Sequence, residues 1–133
     1  MSLVEKLRQV DWGAVGARLV ILHGSALWKA SPRDIDLVIY TDRDVEEVML
    51  NAMEAVENVA GLPADVYAFG DVNEINCVLF LQAVANGVLI YNDLKGREVL
   101  IRAINVCNDY IIMREKVEFT KKFVDGVLRR VTQ

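Results

Sequence analysis

Leu19-Val-Ile-Leu22 is an unbroken apolar run of strand length. A strand with no polar position across four residues has no side to give to water, so it is expected at the centre of a sheet covered on both faces. The rest of the chain is read around that strand. Ser2 and Glu5 stand at capping-box spacing and open a short helix, which ends before the breakers Gly13 and Gly16. Ser31-Pro32 interrupts any helical turn that follows the strand. Ile35 to Tyr40, rich in β-branched and aromatic residues, reads as a second strand. Between Asp44 and Ala60, apolar residues at Val45, Val48, Met49, Ala52, Met53, Val56 and Val59 form a helical stripe closed by Gly61 and Pro63.

Ala64 to Phe69 reads as a third strand. Asp71 and Glu74 repeat the capping-box spacing, which predicts a mostly buried helix from there to Asn86-Gly87. Val88 to Tyr91 is a short fourth strand, and residues from Leu94 to Val131 form one long helix. This order predicts an α/β fold, with the long helix covering the sheet or reaching a partner. Val99, Ala103, Val106, Tyr110, Met113, Val117, Thr120, Val124, Val127 and Val131 alternate spacings of four and three, as in helix-on-helix packing. At 1.5 Å per residue the helix would run to about 57 Å, longer than a domain of this size is wide. Its distal half is therefore expected to pack on another chain, a second copy or a helical partner.

The 133 residues fit one domain spanning 1–133, and 53% hydrophobic with 26% charged residues describes a globular protein. The net charge of −4 argues against an extended nucleic-acid surface. Cys77 and Cys107 fall in apolar helical patterns and read as small core residues without metal-ligand or disulfide spacing. Glu5, Lys6 and Arg8 exclude a signal peptide from the first residues, and the apolar stretch Cys77–Leu81 is too short to cross a bilayer. Together these features predict a cytoplasmic protein with no membrane segment.

Asp34 and Asp36, two apart at the start of the second strand, project to one face. Carboxylates that close repel unless a positive charge lies between them. Magnesium suits such oxygen ligands and leaves room for substrate phosphates. Asp65 opens the third strand, with Tyr67 and Phe69 on its face. If that strand lies beside the second, three carboxylates meet, and two Mg2+ ions about 3.5–4 Å apart could clamp an in-line phosphoryl displacement. Gly24-Ser25 ends the buried first strand, where backbone N–H groups and a hydroxyl can receive phosphates, with Lys29 and Arg33 the nearest positive charges.

The pattern Gly24-Ser25, Asp34-Ile-Asp36-Leu-Val-Ile, then Asp65-Val resembles the minimal nucleotidyltransferase (MNT) proteins of the DNA polymerase β superfamily. The likeness extends over roughly residues 18 to 130, through Asn73 to Tyr91 and the long helix with Asn108-Asp109-Tyr110. It implies a nucleotidyltransferase fold, with a mixed β-sheet flanked by helices, and transfer of a nucleoside monophosphate from an NTP, here ATP, to a hydroxyl acceptor with release of pyrophosphate. It assigns metal binding and catalysis to Asp34, Asp36 and Asp65, and triphosphate binding to Gly24, Ser25 and Lys29. It also implies a HEPN-type protein partner, for which the chain would be the antitoxin. A homodimer through the C-terminal helix is the other assembly expected. The rival expectation is a catalytically weak or inactive protein that neutralises a helical partner by binding alone. The chain departs from the family pattern where Lys29-Ala30 stands near the place of a second glycine, and where Arg33 replaces the serine before the first aspartate.

Other residues have plainer readings. His23 invites a catalytic role but is expected to be strand-end scaffolding, and Trp28 could stack on a base but is expected to pack against the domain. Trp12 reads as a core or hinge plug, and Asp71, the rival third acid, reads as a helix cap.

Overall fold

The computed structural model describes residues 1–132, with side chains described through residue 130. The helices are α1 (Leu3–Arg8), α2 (Trp12–Val15), α3 (Val45–Ala60), α4 (Cys77–Asn86) and α5 (Leu94–Thr132). The strands are β1 (Leu19–His23), β2 (Ile35–Tyr40), β3 (Ala64–Phe69) and β4 (Val88–Asn92), in the sheet order β3-β2-β1-β4. β1 runs antiparallel to both β2 and β4, while β2 and β3 are parallel and joined by α3. The sheet is mixed, as expected of the nucleotidyltransferase fold, and β1 is interior with Leu19 through Leu22 all buried.

Two apolar layers cover the sheet. On one face Val20, Leu22, Leu37 and Ile39 pack with Leu7, Trp12, Val48, Ala52 and Val56 from α1, α2 and α3. Trp12 is the core plug expected of it, and its indole Nε1–H donates to the Leu7 carbonyl at 2.9 Å. On the other face Leu19, Ile21, Val38, Tyr40 and Phe69 pack with Phe80 and Ala83 of α4 and Val99, Ala103 and Cys107 of α5. Phe69 sits between Tyr40 and Phe80, with ring centroids 5.5 and 5.8 Å away, so β3 is bound to α4 through aromatic contacts.

The expected capping boxes fare differently. The Ser2 hydroxyl accepts from the Glu5 N–H at 3.2 Å and starts α1. Asp71 accepts from the Asn73 N–H at 2.9 Å, yet it opens only the single 3₁₀ turn Val72–Glu74. Ile75 is extended there, and α4 begins afresh from Asn76, whose side chain accepts from the Leu79 N–H at 3.3 Å. The Asn76 N–H donates to the Tyr67 hydroxyl at 2.8 Å, so β3 fixes where α4 starts. A capping box describes the first turn of a helix and carries no information on whether the next residue continues it.

The cysteine expectation is corrected outright. Cys77 at the head of α4 and Cys107 on α5 form a disulfide, with Cα atoms 5.1 Å apart. Both are core residues, as their apolar setting implied, but the packing of α4 on α5 brings together positions 30 residues apart in the chain. Nothing in their linear spacing announces that crossing. No described helix is long and apolar enough to cross a membrane.

The root of α5 is anchored to β1. Asp93 accepts from the Gly96 N–H at 2.7 Å as a cap, and its second oxygen meets the Arg18 guanidinium at 2.9 Å. Arg18 also pairs with Asp42 at 2.8 Å. Gly96 lies on the Arg18 carbonyl, where a Cβ would fall 2.6 Å from the carbonyl carbon, so only glycine permits this approach. Beyond Cys107 the helix leaves the sheet, and Tyr110, Met113, Val117 and Val124 are exposed. The four–three seam is thus intramolecular only in its proximal half, and its last member, Val131, lies outside the described side chains.

Candidate functional site

The parallel pairing of β2 with β3 places Asp36 directly opposite Asp65 in register. Side chains two apart share a strand face, so both point to the side that carries Val38, Tyr40 and Phe69. Asp34 immediately precedes β2, and the Ile35 N–H donates to the Pro63 carbonyl at 3.0 Å, which carries the pairing of the two strands to the mouth of the site. On the other side of β2, the antiparallel register sets His23 opposite Asp36. Three carboxylates and one imidazole therefore gather at one end of one sheet face.

Gly24 closes the group. It adopts a positive φ of 79°, and a Cβ there would lie 3.1 Å from Asp36 Cγ, with the carboxylate Oδ2 nearer still. An L side chain would be strained by the backbone and would collide with Asp36. The Gly24–Leu27 turn is a short 3₁₀ helix in which Ser25 is half-buried and its carbonyl accepts from the Lys29 N–H at 2.9 Å. Lys29 is exposed, with its ammonium 5.3 Å from the centre of the Trp28 ring.

Burial pushes the Asp36 carboxyl above its ordinary value, and the charges of Asp34 and Asp65 push it further, while His23 opposes them. Like charges so arranged disfavour one another, which marks this as a place where a cation would relieve the fold. Asp65 stands exposed on edge strand β3. Among the described residues, no three acidic, histidine or cysteine side chains are gathered closely enough to hold one metal ion as they stand. The register thus brings the three aspartates to one place without assembling them into a finished ligand set.

One plain reading gives way here. His23 is opposite Asp36 in register and lines a cavity of about 480 Å³ together with Gly24, Leu27, Trp28, Gln82 and Asn86. Trp28 does not pack against the domain but is 74% exposed. Gln82 and Asn86 were not singled out from the sequence. The signal available was their spacing of four on an otherwise apolar helix, which puts both amides on one face.

No protein-family model and no curated protein sequence matches the chain. Solved structures do. A chain from the complex of tri-AMPylated Shewanella oneidensis HEPN toxin with MNT antitoxin superposes with a TM-score of 0.59 at 14% identity, covering 92% of this chain and 99% of that one. A toxin–antitoxin complex with AMP-PNP gives 0.56 at 15% identity, over 91% of this chain and 96% of that one. The toxin–antitoxin MntA-HepT gives 0.53 at 14%, over 90% and 93%. The chain has the nucleotidyltransferase fold. At such low identity the shared property is the course of the backbone, including the mixed sheet and the long C-terminal helix of the nucleotidyltransferase architecture.

The crowding at Asp36 yields a measurable consequence. Because its carboxyl is raised in the folded state, ionised Asp36 costs stability at neutral pH, and that cost disappears as pH falls through the raised value into the ordinary carboxylate range. Asp36→Asn, assayed by thermal melting without metal or nucleotide, should melt about 1–3 °C higher than wild type at pH 7, a modest gain because the site is open to solvent. The difference should shrink towards zero near pH 4. A lower melting temperature for the variant at pH 7 would show that the carboxylate is held by favourable contacts instead.

Proposed function

We propose that this chain is a metal-dependent minimal nucleotidyltransferase that moves a nucleoside monophosphate from ATP to a hydroxyl on a partner protein, as the antitoxin of a HEPN-type toxin. The observation that carries the reading is the register that sets Asp36 against Asp65, beside Asp34 and under Gly24. An all-oxygen donor set with a raised carboxyl fits divalent magnesium, with space left for phosphate oxygens. Asp34 and Asp36 would hold the metal, and Asp65 would complete the site. Bound Mg2+ supplies charge neutralisation for the phosphates.

The residues of the chain do the remainder. Gly24 and Ser25, at the turn after β1, receive the β and γ phosphates through backbone N–H groups and the Ser25 hydroxyl, and Lys29 adds positive charge. Asp65, exposed on its edge strand, takes the proton of the acceptor hydroxyl. The hydroxyl oxygen forms a bond to the α phosphorus as the bond from that phosphorus to the bridging oxygen breaks, and pyrophosphate leaves with that electron pair. Labelled ATP and magnesium titrated against wild type and the Asp34→Asn/Asp36→Asn double variant test this. Wild type should bind ATP only with magnesium, and the variant should lose at least tenfold in affinity while keeping its fold. Equal, metal-independent binding by both would leave the rival reading, a protein that neutralises its partner by binding alone.

The exposed half of α5 supports a helical partner. At 100° per residue, Tyr110, Met113, Val117, Thr120 and Val124 form one stripe, which Phe119 and Phe123 widen on one flank beyond Lys116 and which Lys121 and Arg114 border on the other. Glu115, Glu118 and Lys122 lie away from the stripe, while Asp125 falls on the flank of Arg114, which pairs with Glu118 at 3.6 Å. Two copies joined through this stripe would bring Lys116 and Lys121 against their own counterparts, so an apolar helix flanked by acidic residues fits better than a second copy. The complexes of known fold with HEPN toxins point the same way. Val124→Glu/Val127→Glu should fold, bind ATP normally and lose co-purification with a co-expressed HEPN-type partner. Retained co-purification, with wild type sedimenting as a dimer by itself, would assign the face to self-association.

A further inference from the structure

The cavity beside Gly24 has no role in the account of metal and phosphates, and Trp28 has no role in the fold. Trp28 is 74% exposed, whereas tryptophan ordinarily buries most of its large apolar surface. One face of its ring is covered by the Lys29 ammonium at 5.3 Å. The cavity it lines measures about 480 Å³, within the range of small-ligand pockets. Its far wall is α4, which contributes Gln82 and Asn86. The Asn86 amide donates to the Gln82 carbonyl at 3.3 Å, which leaves the Asn86 side-chain oxygen to accept from a ligand. Gln82 keeps a full amide, one donor group and one acceptor, on the same wall. No lining residue other than His23 can carry charge, in contrast with the acidic cluster next door.

We propose that this cavity takes the base of a nucleoside triphosphate, stacked on Trp28, with its polar edge met by the Gln82 and Asn86 amides. A flat neutral ring suits an uncharged slot with one aromatic wall, and an amide offers the paired donor and acceptor that adenine presents. His23 and Gly24 line the cavity and also adjoin Asp36. A nucleotide with its base here would therefore reach the aspartates with its phosphates. The inference rests on the nucleotidyltransferase reading and adds the place and chemistry of base recognition to it.

The chain's two tryptophans make the test direct. Trp12 is 1% exposed, so emission that acrylamide can quench comes from Trp28. Magnesium with ATP should shield that emission, whereas magnesium with inorganic tripolyphosphate should bind without shielding it. ATP should bind roughly tenfold more tightly than tripolyphosphate, the contribution of one stacked base. Trp28→Ala and Gln82→Ala should each bring ATP towards the affinity of tripolyphosphate, while Trp28→Phe should retain most of the preference. Tripolyphosphate binding should be unchanged in Gln82→Ala, which leaves the contact of Lys29 with Trp28 in place. Equal affinities with no shielding would overturn the base pocket and leave the phosphate site standing. Failure of both ligands to bind wild type would overturn the nucleotidyltransferase reading and the pocket with it.

Discussion

The parallel pairing of β2 with β3 is the constraint on which the rest of the site depends. It sets two aspartates side by side at the end of the sheet, where Asp36 is partly desolvated and, among the described residues, no lysine or arginine forms an ion pair with either. Everything nearby accommodates that pair. Gly24 gives up a side chain so that β1 can pass against Asp36, and α3 makes the crossover that keeps the two strands parallel. A shift of one residue in the pairing would turn Asp65 to the opposite face and bury it among the apolar residues of α3. Register, burial and function are thus linked in one place: the apolar alternation of Val38, Tyr40, Tyr67 and Phe69 holds the register that brings the carboxylates together.

Much of this was legible in the chain. Four apolar residues in a row put β1 inside the sheet, and the alternation around Asp36 and Asp65 gave both strands and the face each aspartate takes. The stripe in α3 and its Gly61 stop were equally plain. What escaped the sequence depends on how elements cross. The Cys77–Cys107 bridge exists because α4 lies on α5, and neither residue carries that fact in its neighbours. Likewise Asn76, not Asp71, starts α4, because an extended Ile75 breaks the helix and the Tyr67 hydroxyl, from another element, holds the Asn76 N–H. Trp28 departs from expectation for a related reason: tryptophan typically buries itself, and only the placement of α4 shows the cavity that it lines.

The fold also explains a division of labour along α5. Its first turns are core, tied to β1 through Arg18, Asp93 and the close approach of Gly96, and to α4 through the disulfide. Its distal turns carry apolar and basic residues that no part of the sheet covers. A helix fixed firmly at its root can hold such a surface in a set direction away from the aspartates. Under the proposed function, the aspartate cluster and the distal surface of α5 would serve as reactive site and binding surface without competing for the same residues.

The central claim is that Asp34, Asp36 and Asp65 are one metal-dependent nucleotide site. A crystal structure of wild type soaked with Mn2+ and a non-hydrolysable ATP analogue measures it most directly, through the anomalous signal of the metal. The account predicts a peak about 2.1–2.2 Å from carboxylate oxygens of Asp34 and Asp36, with Asp65 turned towards it and phosphate oxygens completing the coordination. Nucleotide bound elsewhere on the chain, with no anomalous peak between these aspartates, would contradict it.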